Sequence, residues 1–396
     1  MENLFIKDIV SAEMKWMFSG RTIFIENAPI QQLLSEVSIP SDTISLGQGV
    51  PFFGPPREAV KAAVDALSKP GYTSDAGDIE LREAISRKLY RENKISVSPE
   101  ENIVVTSGGN QAFMNIILTI TNPGDEIILF SPVYFNHIMA VKLASCKPVI
   151  IPTDRDYLPT IESLLDALTE KTKAIVTVSP NNPTGAVYPR SLLEEINSIC
   201  REKEIYHISD EAYEYYTFNG VKHISPASFK DSMNHTITIF SFSKSFGMAG
   251  YRIGYIVIPS ELYNEFIKVQ DTTSICAPVA SQAAALEAIK LGKTYISRFY
   301  HILEDVRSIF IEKLIQEDSL VFPVTHGGYY FLLKLETDKS DWSIAKQLIE
   351  KYRVITIPGS VFFTGYPSLR VSYGNIMHDA AKEGVKRLIQ GLRGVL

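Results

Sequence analysis

An α/β architecture with a mostly parallel sheet is predicted by the alternation of short apolar runs with stretches of helical period between about residues 55 and 260. Two further observations predict a second, smaller α+β domain. The length of 396 residues exceeds the ~250–300 residues at which a single hydrophobic core stops growing. Past Ala277-Pro278 the alternation gives way to a long helical stretch, further strands and a terminal helix. The expectation is a large domain of residues 51–274 and a small domain from both chain ends, residues 275–396 with residues 1–50 folded back onto them.

Taken in order, the first strand of the large sheet is Ile103 to Thr106, which runs into the glycine turn Ser107-Gly108-Gly109-Asn110 and a helix over Gln111 to Ile120. Glu126 to Phe130 and Lys147 to Ile151 follow as strands. Ala174 to Val178 enters Ser179-Pro180-Asn181-Asn182-Pro183-Thr184-Gly185, a Pro/Gly turn with an amide side chain at its mouth. After a helix over Ser191 to Arg201, the strand Ile205 to Ser209 ends on the carboxylate of Asp210, with the phenol of Tyr213 three residues later. Ile237 to Phe240 and Ile253 to Ile258 complete a seven-stranded sheet. In the C-terminal part, Val279 to Gln316 reads as one long helical stretch leading into Gly327-Gly328-Tyr329-Tyr330-Phe331-Leu332-Leu333.

Bulk properties narrow the function classes. With 45% hydrophobic residues the chain is an ordinary globular protein, and a net charge of −6 without a basic block argues against nucleic acid as its partner. No apolar run reaches ~18 residues, which argues against a membrane. The opening Met1-Glu2-Asn3-Leu4-Phe5 has neither a signal-peptide nor a transit-peptide pattern, so a cytoplasmic protein is expected. Cys146, Cys200 and Cys276 are odd in number and widely spaced. They suggest buried small residues rather than disulfides or a metal site.

The most informative stretch is Ser241-Phe242-Ser243-Lys244-Ser245-Phe246-Gly247, followed by Met248-Ala249-Gly250-Tyr251-Arg252-Ile253-Gly254. It places a lysine among small residues just past a strand, with room for a planar partner, and lysine forms Schiff bases with carbonyl compounds. Ligands of open α/β sheets sit at the carboxyl ends of the strands, so Asn182, Asp210 and Lys244 are expected to converge there. Each has an ordinary alternative, as a turn former, a helix N-cap and a surface lysine, and Tyr213 has one as a half-buried aromatic. The Gly108-Gly109 turn puts bare amides at a helix N-terminus, where an anion binds. Ser241 can add a hydroxyl donor and Arg252 a fork that matches phosphate.

Asn182-Pro183-Thr184-Gly185, Asp210 with Tyr213, Ser241-x-Ser243-Lys244 with Arg252, and the late Arg370 in Ser368-Leu369-Arg370-Val371-Ser372-Tyr373 together resemble the class I/II aminotransferases. These are the fold-type-I pyridoxal phosphate enzymes, and the resemblance covers nearly the whole chain. It implies pyridoxal 5'-phosphate bound covalently by Lys244, with its phosphate held by Gly108, Gly109, Asn110, Ser241 and Arg252. Asp210 then pairs with the ring nitrogen, Asn182 and Tyr213 hydrogen-bond the phenolic oxygen, and Tyr134 stacks on the ring. His137 falls where some members support the aspartate. Arg370, costly to bury in an apolar strand unless a carboxylate meets it, is implied to take the substrate carboxylate, with Asn182 and Gly49 beside it. Tyr72 matches a tyrosine that reaches the phosphate of a neighbouring subunit, which implies a homodimer with shared active sites.

The activity implied is transfer of the amino group of an L-amino acid to a 2-oxo acid by a ping-pong mechanism. Members that prefer dicarboxylates often carry lysine after the Gly-Gly of the phosphate turn, where this chain has Asn110, and no second arginine is evident for a distal carboxylate. A neutral or aromatic donor is therefore expected, with Phe53, Tyr134, Tyr329 and Tyr330 as candidates to line its pocket. The same residues also suit a lyase, synthase or oxidase acting on an amino acid. A non-catalytic binding relative would have no need of Lys244, Asp210, Asn182, Arg252 and Arg370 together.

Overall fold

The computed structural model describes residues 19–317 and 320–396. Its first strand pair is parallel, β1 (Ile44–Ser45) beside β11 (Val354–Ile355). The large sheet is built from β2 (Ile103–Thr106), β3 (Glu126–Ser131), β4 (Lys147–Pro152), β5 (Thr172–Val178), β6 (Tyr206–Asp210), β7 (Thr236–Ser241) and β8 (Gly254–Val257). The seven strands lie in the order β2-β8-β7-β6-β5-β3-β4, and β8 alone runs against its neighbours. The expected mostly parallel seven-stranded sheet is therefore present, each strand within two residues of its expected bounds.

Apolar residues on both faces explain why the sheet forms here. Ile127, Leu129, Val176, Ile208 and Ile239 pack on one side, whereas Ile128, Phe130 and Ile175 pack on the other. Such two-sided burial is the pattern of a sheet covered by crossover helices. Two of those helices, Gly109–Ile120 and Arg190–Glu202, are the ones expected from sequence. The C-terminal part carries an antiparallel sheet in the order β12 (Ile357–Pro358), β13 (Ser368–Ser372), β10 (Tyr330–Leu335) and β9 (Leu320–Val321).

The expected single helical stretch Val279 to Gln316 is instead two helices, Val279–Leu291 and Lys293–Leu314, divided at Gly292. Gly292 takes φ +53°, the left-handed region that glycine enters without a Cβ clash. The first of the two packs against the helices Arg57–Ala66 and Ile79–Lys88, and the second against the terminal helix His378–Val395. All three cysteines are buried and unpaired. Among the described residues no helix is long and apolar enough to cross a membrane, and no three His, Cys, Asp or Glu side chains are grouped to hold a metal ion.

Candidate active site

The carboxyl ends of the large sheet and the middle of β13 face a common cavity of about 450 Å³, whose walls include Asn182, Asp210, Lys244, Arg252 and Arg370. Strand geometry explains the convergence. Asp210 is the last residue of β6 and Ser241 the last of β7, while Asn182 and Gly108 lie in the turns that follow β5 and β2. Parallel strands end on one edge, so residues far apart in sequence arrive together.

Lys244 sits in the four-residue helix Phe242–Ser245, and its Nζ donates to the Gly49 carbonyl at 2.5 Å. Burial pushes its amine down to about 8, with the Arg370 and Arg252 charges acting in the same direction and Asp210 opposing them. A fraction of the amine is therefore neutral near pH 7, which is the nucleophilic form.

Asp210 also lines the cavity. Its Oδ1 accepts from the Ala212 amide at 3.1 Å, and its Oδ2 lies 3.1 Å from His137 Nε2. His137 is buried and stacked on Phe113, ring centroids 4.0 Å apart. The support for the aspartate expected of this histidine is thus present as a contact.

Arg370 is 2% exposed, in the middle of β13, where it pairs in register with both Leu332 of β10 and Ile357 of β12. Its Nη1 donates to Asn182 Oδ1 at 2.9 Å and its Nη2 to the Gly47 carbonyl at 2.6 Å, while Nε is buried without a partner. The Tyr330 ring covers its guanidinium at 4.7 Å and the Phe362 ring at 5.0 Å. Among the described residues no carboxylate pairs with it. A buried cation without a counter-charge is costly, and an acidic ligand would relieve that cost.

The anion end of the cavity is shaped by backbone. Gly108 has φ +86°, and a Cβ there would come within 2.6 Å of Arg252 Nη2. Only glycine lets the turn and the guanidinium lie this close. Gly109 opens the helix Gly109–Ile120, so amides without helical partners face the same place. Ser241 Oγ accepts from the Ser243 amide at 3.2 Å, leaving its own proton to donate. Asn110 Oδ1 accepts from the Tyr134 hydroxyl at 3.3 Å, and that hydroxyl accepts from Asn136 Nδ2 at 2.9 Å, which fixes the Tyr134 ring at the wall.

Not every expected residue stands in the cavity as foreseen. The Tyr213 hydroxyl lies 2.6 Å from that of Tyr330, and burial pushes the Tyr213 phenol well above its ordinary value. Tyr72 is 78% exposed and outside the cavity of its own chain. Tyr329 and Phe53, expected to line the donor pocket, do not. Tyr329 is fully buried behind the wall, its hydroxyl 3.3 Å from the Gly49 carbonyl, and the Phe53 ring stacks at 4.1 Å on Phe299. The cavity wall also contains Ile30, Phe135, Val178, Ala212 and Ser243. Phe135, Ala212 and Ser243 adjoin recognised residues in sequence, and Val178 ends β5, four residues before Asn182. Ile30 comes from the short helix Pro29–Ser35, and its neighbours carry no signal for a site.

A lysine amine, an aspartate, an arginine without a counter-charge and a glycine turn at a helix N-terminus thus surround one cavity, an arrangement able to form an imine and to hold anions. Comparison with known proteins agrees. Residues 41–388 match the family described as aminotransferase class I and II. A probable aspartate/prephenate aminotransferase of Aquifex aeolicus is 35% identical over 89% of this chain and 92% of its own. An aromatic aminotransferase of Arabidopsis thaliana is 33% identical over 96% and 97%. The crystal structure of an aromatic aminotransferase from Pyrococcus horikoshii superposes with a TM-score of 0.85 at 31% identity, covering 92% of this chain and 99% of that one. The chain belongs to the class I and II aminotransferases, whose members use pyridoxal phosphate.

Proposed function

We propose that this aminotransferase moves the amino group of an L-amino acid to a 2-oxo acid in two alternating half-reactions, as a homodimer, with pyridoxal phosphate in the Lys244 cavity. The observation that carries the reading is the single cavity in which a burial-suppressed lysine amine, Asp210 and the uncompensated Arg370 face one another. The residues present fit the cofactor: the Gly108 turn leaves room that a Cβ would fill, and the helix N-terminus, Ser241 and Arg252 offer donors to one phosphate. When bound, pyridoxal phosphate supplies an aldehyde that carries the amino group and a ring that draws electrons from the substrate Cα.

The chain's own residues then divide the work. Gly109 and Asn110 amides, the Ser241 hydroxyl and the Arg252 fork hold the phosphate. Asp210, steadied by His137, keeps a proton on the ring nitrogen. Asn182, whose oxygen is taken by Arg370, has its NH₂ left to donate to the phenolic oxygen together with Tyr213. Tyr134 stacks on the ring face. Arg370 would take the substrate carboxylate near Asn182 and Gly49, in the cavity that Lys244 also lines. The Lys244 amine would take the proton from the substrate Cα and hold it for return, a task suited to a group titrating near the working pH.

A neutral or aromatic donor is favoured because Asn110 stands where dicarboxylate-preferring members often carry a lysine, and Ile30, Phe135 and Tyr330 add apolar and aromatic surface to the cavity. Tyr72, exposed in one chain, would complete the phosphate site of its partner. The small domain would comprise both chain ends, 1–50 and 275–396, around the large domain 51–274. The packing of Val279–Leu291 on the helices Arg57–Ala66 and Ile79–Lys88 argues for moving the second boundary to Gly292. Residues 1–18 lie outside the described residues. A cytoplasmic location is part of the same proposal.

The test is a screen of L-amino acids for conversion of the bound aldehyde to its amine form, followed by addition of 2-oxo acids. Recovery that depends on the oxo acid supports transamination, whereas ammonia release without such recovery would point to a lyase. Lys244→Ala should bind the cofactor without a covalent bond and lose turnover by several orders of magnitude, and normal turnover in that variant would refute the assignment of the amine.

A further inference from the structure

Tyr216 stands behind Lys244, outside the cavity wall. Its ring is fully buried and meets the Tyr329 ring edge-on at 5.4 Å. Lys244 lies in a helix of only four residues, where carbonyls run out of following amides to accept from. The Tyr216 hydroxyl supplies the donor, 2.7 Å from the Lys244 carbonyl oxygen. At the other end of the same residue, the Tyr216 carbonyl accepts from the Gly328 amide at 2.9 Å.

Gly328 begins the turn that leads into Tyr329, Tyr330 and β10. The Tyr329 hydroxyl reaches the Gly49 carbonyl, the oxygen that also accepts from Lys244 Nζ, and the Tyr330 ring covers Arg370. One residue thus holds the lysine backbone and the turn that covers the arginine. A single helical turn has no cooperative stability of its own, so its placement depends on bonds from outside it, and the Tyr216 hydroxyl makes one of these to Lys244 itself.

We propose that Tyr216 is a positioning residue for transamination, its hydroxyl fixing the Lys244 backbone and its carbonyl fixing the Gly328 turn, so that amine and arginine keep one separation. The proposal rests on the reading of Lys244 as the catalytic amine. Misplacement by about 1 Å is enough to cost a reaction about 10²-fold.

The test is Tyr216→Phe in the full chain, which keeps the ring and removes the hydroxyl. Tyr157→Phe is the control, since it removes a buried hydroxyl that donates to the Leu332 carbonyl, 3.1 Å away, and makes no bond to the Lys244 segment. The first readout is the pH dependence of Lys244 labelling by trinitrobenzenesulfonate in the cofactor-free full chain, followed by peptide mass spectrometry. Arg370, Arg252, Asp210 and the Tyr213 ring at 5.9 Å face the amine, and neither substitution alters them.

The wild-type midpoint should be about 8. Tyr216→Phe should raise it toward the ordinary lysine value and lower kcat about tenfold or more, with KM changed less than about twofold. Tyr157→Phe should keep the wild-type midpoint. A wild-type midpoint and kcat in Tyr216→Phe, or equal changes in both variants, would overturn the proposal while the Lys244 reading stands. Normal turnover in Lys244→Ala would sink the Lys244 reading itself, and the proposal with it.

Discussion

Replacing Arg370 by methionine should abolish the distinction between an amino acid and the amine that lacks its carboxylate. The guanidinium has five N–H groups, and Asn182 Oδ1 and the Gly47 carbonyl each take one of them. Three remain for a ligand, and no described carboxylate pairs with them. Two charge-assisted bonds to a substrate carboxylate, each worth about 1.5–3 kcal/mol, give about 3–6 kcal/mol of discrimination. At 1.36 kcal/mol per tenfold this is about 10²–10⁴ in rate. The assay is a single-turnover reaction of the cofactor-loaded enzyme with L-phenylalanine and with 2-phenylethylamine, followed by cofactor absorbance in wild type and Arg370→Met. Forming the ratio of ratios isolates the carboxylate–arginine coupling from general damage to the site. The wild type should prefer the acid by that factor and the variant should have lost most of it. A coupling below about tenfold would show that the carboxylate is bound elsewhere.

Other consequences are equally direct. Gly108→Ala places a methyl 2.6 Å from Arg252 Nη2 at a φ of +86°, so the pyridoxal phosphate dissociation constant should rise about tenfold or more by calorimetry; a change under about twofold would remove the turn from the anion site. Asp210→Ala should keep the fold but depress exchange of the substrate Cα proton far more than substrate binding, as read by loss of deuterium, and unchanged exchange with cofactor bound would contradict its role at the ring nitrogen. Mixed Tyr72→Ala and Lys244→Ala chains should regain activity in up to about half of the heterodimer sites, because a two-fold interface puts both lesions in one site and neither in the other. If chain exchange is demonstrated and no activity returns, Tyr72 does not act across the interface.

Much of this enzyme is legible in its sequence for local reasons. The runs Ile103 to Thr106 and Ile237 to Phe240 become β2 and β7 because β-branched and aromatic residues fit a pleated, buried surface and the turn residues that follow cannot continue it. Asn182, Asp210 and Lys244 are legible as a site because parallel strands deliver their ends to one edge. Other features depend on distance in space. The Gly292 break is invisible to helical periodicity, which continues across it. Ile30 reaches the cavity only because the N-terminal segment folds back against it. Tyr329 and Tyr330 are adjacent, yet one lies behind the wall and the other forms it, since successive residues entering a strand point to opposite sides. The depressed Lys244 amine is likewise a property of the assembled site: burial first, then Arg370 of β13 and Arg252 of the neighbouring turn, produce it, and they act only once the chain has folded.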